Sequence, residues 1–331
     1  MTAAATLHHT IEARSPALAA EAVECVVVVP TFRRPDHLLA TLRSILAQNT
    51  SRRFAVIVVE NEAQEREGLS AARQLVEGGD IPGVCIVAHE RGNCCAYNAG
   101  WATALAVFPR FRHLLSIDDD ELAAPDWMER MCATAETLRA DIVGGPQLPV
   151  FAAPEYAHWA RHPVFSPPHD RTGRVEALYS SGNLLLQRPV LEGMEQPFLD
   201  LRFNFMGGGD SDFLSRARKR GFRLAWCAEA PVYETIPARR LEADWIRSRS
   251  LRNGVISTLV ERGYRADRPF GHACVAAKSL ALLAASPLRA AARLATGRWP
   301  AAAIYPVYVA AGRVLAEFGY VNEQYRQPEK N

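Results

Sequence analysis

The sequence predicts an α/β fold in which a mostly parallel central sheet is flanked by helices and followed by a C-terminal helical extension. Three observations predict it. Short β-branched runs alternate with segments of helical periodicity through the first two thirds of the chain. The 331 residues are 49% hydrophobic and 22% charged, enough for one large core with an appendage, which excludes disordered, collagen-like and disulfide-framework chains. Beyond Pro237 the composition turns arginine-rich and then Ala/Leu-rich. The expected organisation is therefore a flexible arm over 1–22, a catalytic domain over 23–237 and a basic, Ala-rich helical extension over 238–331.

The run CVVVV at 25–29, ending at Pro30, has the form of a strand buried on both faces, as in a parallel sheet. Residues 35–48 read as a helix, with Leu38, Leu39, Leu42, Ile45 and Leu46 at helical spacing. Residues 54–59 repeat the strand signal, 70–77 a helix, 84–88 a strand, 97–107 a helix and 113–117 a fourth strand. Right-handed βαβ units of this kind bind ligands beyond the carboxyl ends of their strands. An amphipathic helix is predicted over 126–139 and a strand over 142–145. The Pro- and His-rich stretch 150–174 reads as a long loop. A strand over 176–186, a helix over 211–220 and a strand over 223–228 complete the domain.

Net charge is only +2, yet 237–298 holds twelve basic against four acidic residues. Such a segment suits an anionic partner, a diphosphate or a lipid headgroup. Nucleic acid is not expected, because no aromatic interleaving or reader motif accompanies the arginines. The seven cysteines are odd in number and show no CxxC spacing, which argues for a reducing cytoplasm and against a disulfide framework or zinc site. The first twenty residues lack the pattern of a secretory signal.

Two motifs carry chemistry. Asp118, Asp119 and Asp120 directly follow a predicted strand. Carboxylates packed this closely repel one another unless a cation neutralises them, and hard oxygens suit Mg²⁺ or Mn²⁺. The competing reading is an acidic turn capping the next helix. Gly207, Gly208 and Gly209 then lead into Asp210, Ser211 and Asp212 at a helix start. A helix N-terminus keeps a carboxylate ionised, as a general base requires, although simple capping by Asp210 explains the same pattern.

With these residues in hand the chain resembles the inverting glycosyltransferases of family 2, which have a GT-A nucleotide-diphospho-sugar transferase fold. The matching pieces are Val28 to Arg34, Val59-Glu60-Asn61, Arg91-Gly92-Asn93 followed by Tyr97-Asn98-Ala99-Gly100, the aspartate triplet, Gly182-Asn183 and Gly207 to Asp212. The pattern around Tyr233 to Pro237, Asp244 to Arg247, Arg249 and Arg252 to Gly254 is most similar to exopolysaccharide glucosyltransferases of the succinoglycan type. The resemblance implies a nucleotide-sugar donor, UDP-linked, and a saccharide or lipid-linked acceptor. It implies Asp210 as catalytic base and Asp120 as a ligand of Mn²⁺ or Mg²⁺; Glu234 stands where many relatives carry a metal-binding histidine and reads as a carboxylate variant of that ligand. Pro30, Thr31, Arg33, Glu60, Arg91, Asn98, Asp118 and Asp119 are implied on the donor, and Asn183 and Asp212 on the acceptor. Arg249 and Arg252, three apart on a helix-compatible stretch, can share a face and present forked donors to the donor diphosphate, the competing reading being a solvated basic face. Trp127, on the helix after the aspartates, suits stacking on an acceptor sugar, the competing reading being core packing.

Two departures accompany the match. Gly209 stands where the family carries an acidic residue before the base, and Tyr97 where an arginine is common. The competing readings are a nucleotidyltransferase, whose early glycine-rich signature is missing between Pro30 and Pro35, and a non-catalytic sugar-nucleotide-binding scaffold.

In the extension, 270–286 and 299–312 are apolar, but each falls short of the ~20 residues of a membrane span. Arg289, Arg293 and Arg298, with Trp299, Tyr305 and Tyr308, suit peripheral contact with the inner face of the cell membrane. The alternative is a helical bundle packed on the domain or a dimer interface.

Overall fold

A computed structural model describes residues 8–321, 323 and 326. The chain forms two compact units, the first from 8–147, 168–205 and 209–234, the second from 148–167, 206–208 and the residues from 235 onward. The last entry into the second unit is at 235, beside the boundary expected at 237, and the unit also includes 148–167 and 206–208.

In the first unit the strands are β1 His9–Arg14, β2 Cys25–Thr31, β3 Phe54–Glu60, β4 Gly83–Ala88 and β5 His113–Ile117. Helices α1 Pro35–Leu46, α2 Glu67–Glu77 and α3 Asn93–Val107 alternate with them. Next come β6 Glu121–Ala123, α4 Trp127–Thr137 and β7 Ile142–Gly144; β8 Gln147–Phe151 crosses into the second unit. The first unit resumes with β9 Gly173–Arg174, β10 Asn183–Gln187, α5 Arg188–Gly193, α6 Gly209–Lys219, β11 Leu224–Trp226 and the start of β12 Val232–Ile236.

The main sheet runs β1-β4-β3-β2-β5-β10-β7-β11-β9. Its centre, β4-β3-β2-β5, is parallel, with Cys25 opposite Phe54 on one side and His113 on the other. Strands β2 and β3 are buried almost throughout, as unbroken Val/Ile runs require when helices cover both faces. The chain steps from β2 outward to β3 and β4 and then returns beside β2 as β5. The carboxyl ends of β2 and β5 therefore flank a topological switch point, where such sheets open a crevice.

Three expectations change. Residues 9–14, assigned to a loose arm, form β1 and pair antiparallel with β4, because the β4 edge offers unpaired backbone groups that an extended segment satisfies. The strand expected over 176–186 is shorter and shifted: β10, Asn183–Gln187, is the part that pairs with β5 and β7. The helix expected from Tyr97 starts at Asn93. Its first turns, Cys94 to Ala99, are all buried, and a helix apolar all round gives no amphipathic signal by which to find its start.

The second unit contains a 3₁₀ helix at Pro154–Arg161 and the helices α7 Ala243–Tyr264, α8 Gly271–Ala295 and α9 Pro300–Glu317. A small core of Phe165, Ile236 and Ile246 sits beside Phe151, Trp159 and Trp245. Gly254 of α7 and Gly312 of α9 meet backbone to backbone, leaving no room for a Cβ on either helix. Helix α8 reaches 25 residues and is long and apolar enough to cross a membrane, so the length argument drawn from 270–286 does not hold.

Candidate active site

The switch point gathers a network of acids. At the end of β2, the Thr31 hydroxyl donates to Asp119 Oδ2 at 2.8 Å, and the Phe32 amide donates to the same oxygen at 3.3 Å. Arg34 Nη1 lies 2.6 Å from Asp120 Oδ2 and 3.4 Å from Asp119 Oδ1. Thr41 of α1 stands within hydrogen-bond distance of the Asp119 and Glu121 carbonyls, at 2.9 and 2.7 Å. The triplet is thus fixed through both its side chains and its backbone.

On the other side, Tyr97 donates its hydroxyl to Asp118 Oδ1 at 2.5 Å, and the Asp118 amide donates to Glu121 Oε2 at 3.0 Å. Glu121 is wholly buried, takes a further hydrogen bond from Gln147 Nε2, and pairs across the ladder with Glu234 of β12. A Cβ at Gly182 would come within 2.7 Å of Asp118 Oδ2 and 2.6 Å of Gln147 Nε2, so only glycine lets this carboxylate settle.

Electrostatics follow from the packing. Burial first, and the charge of Asp120 second, push the Asp118 carboxyl up to about 7. Burial raises Asp119 to about 6 against the pull of Arg34. Glu121 rises well above the usual range through burial and its neighbours Asp118 and Glu234. Crowded, desolvated carboxylates of this kind favour a bound cation. Among the described residues no three His, Cys, Asp or Glu side chains form a ready-made metal cage. The donor set, hard oxygens with few protein ligands, still fits Mn²⁺ or Mg²⁺, which retain positions for substrate oxygens.

Asp210 is half-buried in the first turn of α6 and accepts from the Ser211 amide at 2.7 Å. A Cβ at Gly209 would stand 2.5 Å from Cys94 Sγ. The acidic residue expected there is excluded because the Cys94 thiol fills its space. Cys94 and Tyr97 lie on consecutive turns of α3, about 4.5 Å apart along its axis, so one helix links the Asp210 turn to Asp118.

Arg33, with a left-handed backbone (φ 56°), binds Glu62 with Nη2 at 2.6 Å, and its guanidinium lies 5.3 Å from the Phe32 ring centroid. The Arg91 guanidinium stacks on the same ring at 4.9 Å. The loop carrying Arg91 is tied down twice. Gly92 donates to Asn61 Oδ1 at 2.7 Å, and Asn204 Nδ2 donates to the Arg91 carbonyl at 2.8 Å.

Several residues expected to touch substrate are engaged within the fold. Trp127 is wholly buried and donates to Asn183 Oδ1 at 2.8 Å. Asn183 spends its amide on the Pro146 and Ala230 carbonyls. Asp212 is buried and paired with Arg216 one turn on, and Asn98 bridges the Leu199 amide and carbonyl. Glu60 is buried and accepts from the Leu69 and Glu62 amides, holding the start of α2; burial raises its pKa. Pro30 is buried within β2. In the second unit, Arg249 is half-buried and Arg252 is 1% exposed on α7. Sequence reasoning passed over Arg34, Thr41, Glu121 and Asn204. Of these Glu121, adjoining the triplet, and Arg34, ending the Val28 to Arg34 piece, left a local signal.

Residues 26–193 match glycosyl transferase family 2. Over 274 residues, 78% of this chain and 82% of the relative, the sequence is 30% identical to succinoglycan biosynthesis protein ExoM of Rhizobium meliloti (strain 1021). The mannosyltransferase PcManGT of Pyrobaculum calidifontis, solved with GDP-Man and Mn²⁺, superposes with a TM-score of 0.58 at 18% identity, covering 89% of this chain and 87% of that one. S. aureus TarS 1–349 in complex with UDP superposes with a TM-score of 0.52 at 13% identity, covering 93% and 98%. These two likenesses establish the GT-A fold.

Proposed function

The chain belongs to glycosyl transferase family 2, and on that footing we propose that it moves a hexose, with inversion, from a UDP-linked sugar to a hydroxyl of a saccharide or lipid-linked saccharide in bacterial polysaccharide synthesis. The polysaccharide context is supported by the similarity to ExoM. The observation that carries the reading is the buried acid network at the switch point, in which Thr31 and Arg34 beside β2 grip Asp119 and Asp120 after β5.

Asp118 meets the nucleotide ribose, and Asp119 fixes the loop after β2 through Thr31 and Phe32. Arg33 and Arg91, beside one aromatic ring, meet the anionic diphosphate. A divalent Mn²⁺ or Mg²⁺ held by Asp120 and Glu234 would supply Lewis-acid stabilisation of the charge growing on the leaving diphosphate. Asp210 takes the proton of the acceptor hydroxyl as its oxygen attacks the anomeric carbon from the face opposite the leaving group. One displacement then inverts the configuration, and no glycosyl-enzyme forms. The same reading puts the enzyme in the cytoplasm, in peripheral contact with the membrane that carries a lipid-linked acceptor.

Donor hydrolysis across a panel of nucleotide sugars, each with Mn²⁺ and with Mg²⁺, tests this. Turnover of a UDP-hexose that stops on chelation is expected. Release of pyrophosphate from a nucleoside triphosphate and a sugar phosphate would instead mark a nucleotidyltransferase.

A further inference from the structure

Helices α8 and α9 enclose a cavity of about 160 Å³ whose walls combine two chemistries. Leu282, Pro306 and Val309 make it apolar, while Arg289, Arg293 and Arg313 bring three guanidinium groups to it. Arg313 is 3% exposed; its Nη atoms bind Ser257 and Glu261, but its Nε is buried without a hydrogen-bond partner among the described residues, and so is Arg293 Nη1. Buried guanidinium N–H groups left unsatisfied are costly, and an anion in the cavity would satisfy them. A phosphate group fits, since the volume is several times the ~30 Å³ share of one water.

The outer face of α8 is apolar and uncovered. Leu280 is 59% exposed, Leu288 76% and Leu294 49%, and Phe270, just before the helix, is 84% exposed. Buried positions on α8, such as Val275, Ser279 and Ser286, mark the opposite side. Helix α8 also carries charges that oppose crossing a bilayer. Between Lys278 and Arg289 lie only ten residues, about 15 Å of helix, half the roughly 30 Å thickness of hydrocarbon. Lys278 is moreover held by Glu261 of α7 at 2.9 Å. Lys278, Arg289 and Arg293 stand on the side of α8 turned away from this stripe, so a helix lying in the interface with the stripe toward the acyl chains carries its cations at the level of the lipid phosphates.

We propose that the cavity between α8 and α9 binds the phosphate of an anionic phospholipid through Arg289, Arg293 and Arg313, with the exposed face of α8 seated in the membrane interface. The proposal rests on the peripheral-membrane reading above and names the lipid class and the residues that read it.

Full-length protein is sedimented with vesicles of phosphatidylcholine, with or without phosphatidylglycerol. Wild type is expected to bind only the phosphatidylglycerol vesicles, with inorganic phosphate failing to release it. Arg289→Gln/Arg293→Gln is expected to weaken binding by about thirtyfold, two interfacial cations being lost. Arg298→Gln, outside the cavity, should cost far less. Both variants leave the Arg313 ion pair intact, and an unchanged thermal midpoint confirms their folding. If the double variant binds as wild type does, or no better than Arg298→Gln, the cavity is not the site, although membrane contact stands. If wild type binds neither vesicle, both readings fall. Release by inorganic phosphate alone would overturn the lipid assignment.

Discussion

The Arg34 guanidinium stands 2.6 Å from Asp120, the carboxylate expected to hold a divalent ion. This arginine supplies counter-charge to the acidic turn, and its side chain is only 20% exposed. Removing it leaves crowded carboxylates without their counter-charge, a loss of roughly 2 kcal/mol or more for a mostly buried pair. Arg34→Gln is therefore expected to lower the thermal midpoint. Mn²⁺ should then raise that midpoint more in the variant than in wild type, because a bound ion stabilises by its own binding energy. An identical Mn²⁺ shift in both proteins would separate Arg34 from the cation site.

Asp210→Asn keeps the size and the Ser211 contact of the side chain but cannot accept a proton. Transfer is expected to fall by roughly 10²-fold or more, the scale of general-base catalysis, while nucleotide binding by calorimetry stays unchanged. Near-normal turnover would remove Asp210 from the mechanism.

Tyr97 occupies a place where an arginine is common in the family, and its hydroxyl donates to Asp118. Tyr97→Phe keeps the ring packed against Trp101 and deletes the hydroxyl's bonds to Asp118 and Ser181. Such a bond contributes about 1 kcal/mol when made to a neutral carboxyl and about 1.5–3 kcal/mol to an ionised one. Expected are a lower urea midpoint and weaker UDP affinity, both read on the purified variant. If UDP affinity is unchanged, the bond is structural only.

Gly209→Ala forces a methyl against Cys94 Sγ. Overpacking of this kind costs about 1–3 kcal/mol. Pairing it with Cys94→Ala frees the space, so the double variant should recover most of the loss in a denaturation cycle. Additive losses would mean that the two sites do not touch.

His113 is buried on β5 facing Arg52, Arg112 and Glu136, and burial first, then Arg52, lowers its pKa. The unfolded chain takes up that proton near pH 6.5 while the folded chain resists it. Stability therefore falls as pH drops below about 6.5, by at most about 1.4 kcal/mol per pH unit for one proton. His113→Gln should flatten this part of the urea-midpoint profile; an unaltered slope would acquit His113.

Much of the site was legible locally. The aspartates of 118–120 announce themselves by mutual repulsion after a strand, and β2 to β5 by unbroken apolar runs. Trp127 and Asn183 are buried and hydrogen-bonded to each other, a pairing across 56 positions that no local pattern announces. Arg34 lies inside a matching motif, but its partner Asp120 is 86 positions away and that of Asn204 is 113 away, so neither pairing could be read locally.

The sequence by itself determined the parallel βαβ core, the family and the identity of the acids, because periodicity and adjacent like charges are local properties of the chain. Only the tertiary structure decided which acids are neutralised by arginine, why Gly209 cannot be acidic, that residues 9–14 are a strand, and that guanidinium groups line a cavity between α8 and α9. Those outcomes depend on which distant side chains exclude water from one another, and burial, unlike periodicity, is set by the whole fold.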